Sequence, residues 1–93
     1  MNLDERLQRL QAQGHTRGES FAGLDLSGRT FSGLVFENTS FAGASLQQAR
    51  LDNCVFSSCD LTEANLQQAR AEHAQFLASH LNQTLFVHAT LSD

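Results

Sequence analysis

Read from Phe21 in steps of five, the chain presents Phe21, Leu26, Phe31, Phe36, Phe41, Leu46 and onward in the same register to Leu91. Fourteen of these fifteen centres are Phe or Leu, and all seven Phe of the protein fall among them. Outside the register, residues 19–93 hold only Leu24, Leu34, Leu77 and Leu85 as further Leu. Neither regular element can bury such a pattern. Five residues of helix advance the chain by about 500°, so successive centres rotate by about 140° around the axis. In a strand five is odd, and successive centres point to opposite faces. Every centre is buried only if the backbone turns once per pentapeptide. Four right-angle turns close a square coil of twenty residues, and stacked coils make a solenoid.

A second period supports this reading, because repeats in a sequence decide the architecture before anything else does. Leu46-Gln47-Gln48-Ala49-Arg50 returns unchanged as Leu66-Gln67-Gln68-Ala69-Arg70, and Phe21-Ala22-Gly23 returns as Phe41-Ala42-Gly43, each twenty residues later. Like therefore stacks on like. Phe36, Phe56 and Phe76 form one column, and Phe21, Phe41, Leu61 and Leu81 another. The position two before each centre is usually small, as at Ala44, Ala49, Cys54, Cys59, Ala64 and Ala69. Gly23, Gly28, Gly33 and Gly43 fall two after a centre, where the corners lie.

Cys59-Asp60-Leu61-Thr62-Glu63 and Ala64-Asn65-Leu66-Gln67-Gln68 carry a small residue, Asp or Asn, then Leu. In this the chain resembles the pentapeptide-repeat family over residues 19–93. The resemblance implies an all-β fold, a right-handed quadrilateral β-helix of about 3.75 coils. Glu19, Leu24, Arg29 and Leu34 replace the small residue, which predicts a distorted first coil. Ala71 is an undersized centre and predicts a local void or inward shift beside Leu51 and Leu91.

Residues 1–18 stand apart as a cap. Asn2 followed by Glu5 resembles a capping box, and Leu3, Leu7 and Leu10 line one face of a helix over residues 3–13. This α-helix is expected to lie over the first coil, with residues 14–18 as the connecting turn; a partner-binding helix is the competing reading. At about 4.8 Å per rung the solenoid is roughly 18 Å tall. The carboxyl end shows no comparable cap, and an open last coil is an unpaired sheet edge. It is therefore expected to make a twofold homodimer, with Leu85 and Val87 facing outward beside Phe86 and with Leu91 closing the register. Completion by a partner protein is the other explanation.

Six Arg, no Lys and ten acids leave a formal net charge of −4. That balance argues against a phosphate-tracking nucleic-acid binder and against a polybasic membrane-surface protein. No segment approaches the roughly 20 apolar residues that cross a bilayer. The opening residues lack the basic-then-apolar order of a secretory signal. Two Cys without a CxxC make neither a disulfide scaffold nor a four-ligand zinc site. The expected setting is cytoplasmic.

No convergent polar set for catalysis is visible, so no catalytic, cofactor-binding or metal-binding residue is assigned and the chain is not expected to be an enzyme. His15, His73, His80 and His88 share no metal-ligand spacing and read as surface residues. Cys54 and Cys59 occupy small inward positions and read as buried, inert thiols, with a reactive or disulfide-forming pair as the alternative. Arg50 stacks on Arg70 and Asp52 on Glu72, an alternating grid of solvated pairs or a recognition patch with Gln47, Gln48, Gln67 and Gln68 around the corner. Val35 and Val55 share an outward column with Leu77 in the neighbouring one. Exposed apolar stripes mark partner sites, although β-branched residues also favour strands on their own account.

The leading expectation is a non-enzymatic scaffold or adaptor that binds a protein partner, since rigid arrays lose little entropy on docking. The resemblance adds a link to bacterial secretion or effector machinery. The resemblance also implies the rival, a DNA-mimicking regulator of a type II topoisomerase such as gyrase. Residues 19–93 carry eight acids and three Arg, a balance of −5. B-DNA places one charge per about 1.7 Å, so the repeat part holds roughly half the needed density.

Overall fold

The computed structural model describes residues 2–84. It contains helix α1 (Leu3–Gln13) and strands β1 (His15–Arg17), β2 (Val35–Glu37), β3 (Val55–Ser57) and β4 (Gln75–Leu77). The strands form one parallel sheet in the order β1-β2-β3-β4, with Val35 opposite Val55 and Val55 opposite Gln75. The register advances by twenty residues per rung. The other three sides are joined by isolated parallel bridges. Ser20, Ser40, Asp60 and His80 follow one another on one side, Asp25, Ser45 and Asn65 on the next, and Thr30, Arg50 and Arg70 on the third. The result is the expected right-handed quadrilateral β-helix.

The pentapeptide period becomes a coil through its corners. At the Phe21 corner the Leu24 N–H donates to the Phe21 carbonyl at 3.2 Å, and Gly23 adopts φ +70°. This is the positive-φ residue that a type II turn requires. Later coils place Gln48, Asn53, Glu63 and Gln68 in that same conformation, with φ of 61–62°. The Asp or Asn before a centre has its own task. Asp25, Asp60 and Asn65 each accept the N–H of the residue two further on, all at 3.0 Å, and so hold the backbone in its turn.

Inside, the centres are sealed. Leu26, Phe36, Phe56, Leu61 and Leu66 are 0% exposed. Phe36 stacks on Phe56 at 5.0 Å between centroids and Phe56 on Phe76 at 4.8 Å, while Phe36 and Phe41 meet edge to face at 5.1 Å. Such geometries add about 0.5–1.5 kcal/mol per pair beyond area burial. Ala71 is buried, and the ladder bonds beside it (Leu51 N–H to Arg70 carbonyl, Asn53 N–H to Glu72 carbonyl) are 2.6 and 2.8 Å. The Leu91 side of the expected void lies outside the described residues.

Helix α1 starts and stops where its signals lie. Asn2 Oδ1 accepts the Glu5 N–H at 2.9 Å, Glu5 Oε1 accepts the Asn2 N–H at 3.4 Å, and Gly14 ends the helix at φ 79°. Leu7 and Leu10 are buried against the coil. Two expectations need correction. Residues 14–18 are more than a connecting turn, because β1 pairs with β2 as a full rung. Val35 donates to the Gly14 carbonyl at 3.1 Å, and Gly18 to the Glu37 carbonyl at 3.0 Å.

The first coil, moreover, is undistorted. Glu19, Leu24, Arg29 and Leu34 accept ordinary ladder bonds of 3.0, 2.9, 2.8 and 2.9 Å from the second coil. The reason lies in the direction of the side chain two before each centre. Cys59 Sγ donates to Phe36 O at 3.2 Å, Ser79 Oγ to Phe56 O at 3.0 Å and Thr84 Oγ1 to Leu61 O at 2.6 Å, each to a residue 23 earlier. These side chains reach toward the preceding coil, and therefore must be small. Before the first coil stand only α1 and the single rung β1, and the larger residues become the helix's seat. Glu19 pairs with Arg6 at 3.1 Å and Arg29 with Asp4 at 2.9 Å. Leu34 is buried in the same cluster as Leu7 and Leu10, with Leu24 packed against it.

Candidate functional site

One side of the coil carries the four-stranded sheet. Along it run two outward rows, one of His15, Val35, Val55 and Gln75 and one of Arg17, Glu37, Ser57 and Leu77. Val35 and Val55 are half-buried, and Leu77 is 49% exposed. Val55 and Leu77 thus lie one rung and one row apart, as the spacing predicts. Arg17 closes over Glu37 through Nη2 at 2.8 Å and Nε at 3.3 Å, so the amino-ward end of this side carries an ion pair, while Val55 and Leu77 lie further along with Ser57 and Gln75 between and beside them. Leu81 is 37% exposed, although its register is that of a core centre. A centre is sealed by coils on both sides, and among the described residues none follows Leu81; Phe76 is likewise only partly buried. Leu85, Val87 and Leu91, expected at the associating end, lie outside the described residues, as does His88.

The charged side departs from the expected grid. Arg50 and Arg70 are in register, and Arg70 pairs with Glu72 at 3.4 Å. Asp52, however, accepts the Glu72 backbone N–H at 2.9 Å instead of pairing with Arg50. Around the corner Gln48 donates to Gln68 at 3.0 Å. A rung of hydrogen bonds through side chains thereby reinforces the backbone ladder, something that spacing alone does not show.

Cys54 and Cys59 are free thiols with 0% exposure. Cys54 donates to the Phe31 carbonyl, and burial pushes its thiol up to about 11. Burial raises Cys59 as well. Neither is a nucleophile at neutral pH, since the thiolate is the reactive form. His15 lies on β1, His73 at a corner with φ 62°, and His80 on the side of Asp60, so the structure does not bring them together. Among the described residues no group of three His, Cys, Asp or Glu is placed to hold a metal ion, and no helix is long and apolar enough to cross a membrane.

The cap creates a further surface. Arg6 lies 4.5 Å over the Phe21 ring and donates to the Ser20 carbonyl at 2.9 Å, while Gln11 donates to the Thr30 carbonyl at 2.6 Å. Two carbonyls of the first coil's outer edge are thus satisfied by helix side chains. A cleft of about 380 Å³ opens beside α1 between Leu7, Gln8, Arg29 and Phe31.

No curated protein sequence matches this chain. Solved structures do. A pentapeptide repeat protein, alr5209 from Nostoc PCC 7120, superposes with a TM-score of 0.83 at 21% identity, over 97% of this chain and 75% of its own. HetL, a pentapeptide repeat protein involved in heterocyst differentiation regulation from the cyanobacterium Nostoc sp. strain PCC 7120, is similar with a TM-score of 0.55 at 23% identity. That match spans 96% of this chain and 42% of HetL. At these identities the likeness is one of fold. The model for pentapeptide repeats (8 copies) matches residues 20–57 and 59–93. With its coil of twenty, its Phe column and its corners accounted for residue by residue, the chain belongs to the pentapeptide-repeat family.

Proposed function

We propose that the chain is a non-enzymatic protein-docking module of the cytoplasm, presenting the β2–β3–β4 side to a protein partner. One observation carries the reading: Val35, Val55 and Leu77 lie on adjacent rungs of a rigid parallel sheet and keep apolar surface in water. Backbone bonds already hold these side chains in place, so docking costs little ordering entropy. Replacing Val55 and Leu77 together by Asp is expected to leave the circular-dichroism spectrum unchanged and to abolish recovery of partner protein in an affinity pull-down. Unchanged recovery would dismiss this side. Twofold association through the last coil is part of the same proposal, and light scattering that gives a monomer mass at high concentration would remove it.

Topoisomerase regulation by DNA mimicry is the weaker reading. Glu19, Glu37 and Glu72 are each paired with an Arg, while Asp25, Asp52 and Asp60 lie on three different sides. Among the described residues these six acids therefore make no continuous track like a phosphate backbone. A gyrase supercoiling assay without effect at micromolar protein would end that idea.

A further inference from the structure

Cys54 and Cys59 are the only thiols of the chain, and the residues between them include the whole of strand β3, Val55–Ser57. An extended chain rises about 3.3 Å per residue, which sets the Cα atoms of Cys54 and Ser57 about 10 Å apart. Ser58, with φ 55°, then turns the chain onto the next side of the coil. A right-angle corner leaves Cys59 about as far from Cys54 as that side is long. A disulfide spans Cα atoms no more than about 7 Å apart. Neither backbone is free to close the gap. The Cys54 N–H donates to the Leu51 carbonyl at 3.2 Å and the Cys54 carbonyl accepts the Gln75 N–H at 2.9 Å, while the Cys59 carbonyl accepts the His80 N–H at 2.9 Å. The sulfurs are engaged as well, Cys54 with the Phe31 carbonyl and Cys59 with the Phe36 carbonyl at 3.2 Å. Both reach toward the preceding coil, each on its own side.

We propose that these two thiols make the solenoid a redox-sensitive fold, in which the coil built around β3 and a disulfide between Cys54 and Cys59 exclude one another. Inside the coil the pair is protected. Both residues are 0% exposed, burial pushes the Cys54 thiol up to about 11 and raises Cys59 too, and only a thiolate attacks a disulfide. In an opened chain both thiols stand in water, and a loop this short closes at little entropic cost. Glutathione disulfide then oxidises the pair in two exchanges. One cysteine thiolate attacks it, forming a mixed disulfide and releasing one glutathione thiolate. The other cysteine thiolate displaces the second glutathione and closes the protein disulfide. The two cysteine protons pass through solvent to the two glutathione thiolates. The oxidised chain cannot rebuild β3 between β2 and β4, so it stays open until a thiol reductant reverses both exchanges. The fold therefore lasts only where thiols are kept reduced, whether or not the β2–β3–β4 side docks a partner.

The test uses the full chain, reduced, unfolded in urea and held with excess glutathione disulfide. Mass spectrometry is expected to find a species lighter by two hydrogens and free of glutathione. Diluted out of urea, that species is expected not to regain the native circular-dichroism spectrum, and to regain it once dithiothreitol is added. Native protein in glutathione disulfide is expected to keep its thiols, and urea below the unfolding transition to speed their loss. The paired Cys54→Ala, Cys59→Ala variant carries at both places the residue found at Ala44, Ala49, Ala64 and Ala69. It is expected to refold equally with and without the oxidant; if it does not fold at all, the dithiothreitol arm on wild type decides alone. An oxidised chain that regains the native spectrum and melting temperature would overturn the proposal. So would oxidation of native protein at a rate that urea leaves unchanged, or failure of the unfolded chain to form the bond. Refolding of the paired variant blocked by the oxidant would place the damage outside the two thiols and overturn it as well.

Discussion

Phe56 stacks on Phe76 with ring centroids 4.8 Å apart and planes 4° from parallel, yet only Phe56 is fully enclosed. Phe36 covers the other face of the Phe56 ring at 5.0 Å. Truncating a fully buried Phe to Ala costs about 3–5 kcal/mol. Phe56→Ala is accordingly expected to lose an amount in that range in urea denaturation, and Phe76→Ala clearly less. Equal losses would show that the column transmits packing from both rings alike.

Backbone conformation at the corners gives a second prediction with opposite signs at two positions. Gly23 and Ala78 both have positive φ, 70° and 52°. A Cβ on Gly23 meets nothing within 4 Å, so Gly23→Ala suffers only the left-handed backbone penalty, about 1–2 kcal/mol. Ala78→Gly relieves the same penalty, offset in part by the entropy of a freer unfolded chain. Thermal melts should place Gly23→Ala below wild type and Ala78→Gly above it.

The seat of α1 is tested at Leu34. Its side chain belongs to the buried cluster with Leu7 and Leu10. Leu34→Ala should cost about 2–5 kcal/mol, whereas a small residue is the rule at this position of later repeats. Hydrogen exchange is the discriminating measurement. Amides of Leu7 through Leu10 should lose protection in Leu34→Ala before those of Val55–Ser57 do.

Acid should weaken the corners. Asp60 is held below the usual aspartate range first by the Thr62 hydroxyl, then by the Thr62 N–H, with Oδ1 distances of 2.6 and 3.0 Å. Asp25 is lowered in the same way by Ser27. A carboxyl whose pKa is depressed on folding contributes stability that is complete above its unfolded value and is lost as pH falls through the folded one. The contribution of both residues thus begins to fall off below about pH 4 and is gone only once pH drops beneath the lowered values of the folded state. Thr62→Val should raise the Asp60 pKa in a side-chain carbon NMR titration, and an unmoved value would exclude the hydroxyl as its cause.

Thiol chemistry supplies the last test. With Cys54 pushed up to about 11 and Cys59 also raised, native protein at pH 8 should leave both thiols unmodified by an aromatic disulfide reagent over minutes. Denatured protein should react twice per chain. Rapid reaction of the native protein would contradict the burial of Cys54.

The division between what spacing determines and what tertiary structure decides runs along the solenoid axis. Steps of five and of twenty suffice to place Phe36, Phe56 and Phe76 in one column, to put Val35 over Val55 and to bring Arg50 beside Arg70, because periodicity dictates which side chains face inward and which residues share a rung. Periodicity is silent about direction along the axis. Only the folded chain reveals that the residue before each Asp or Asn reaches back toward the previous coil, so that Leu24, Arg29 and Leu34 build a seat where a defect was expected. It also reveals that His15–Arg17 is already a rung, which three residues without an apolar centre could not announce. The same holds for Asp52, whose carboxylate accepts the Glu72 backbone N–H instead of pairing with Arg50, a choice made by local geometry.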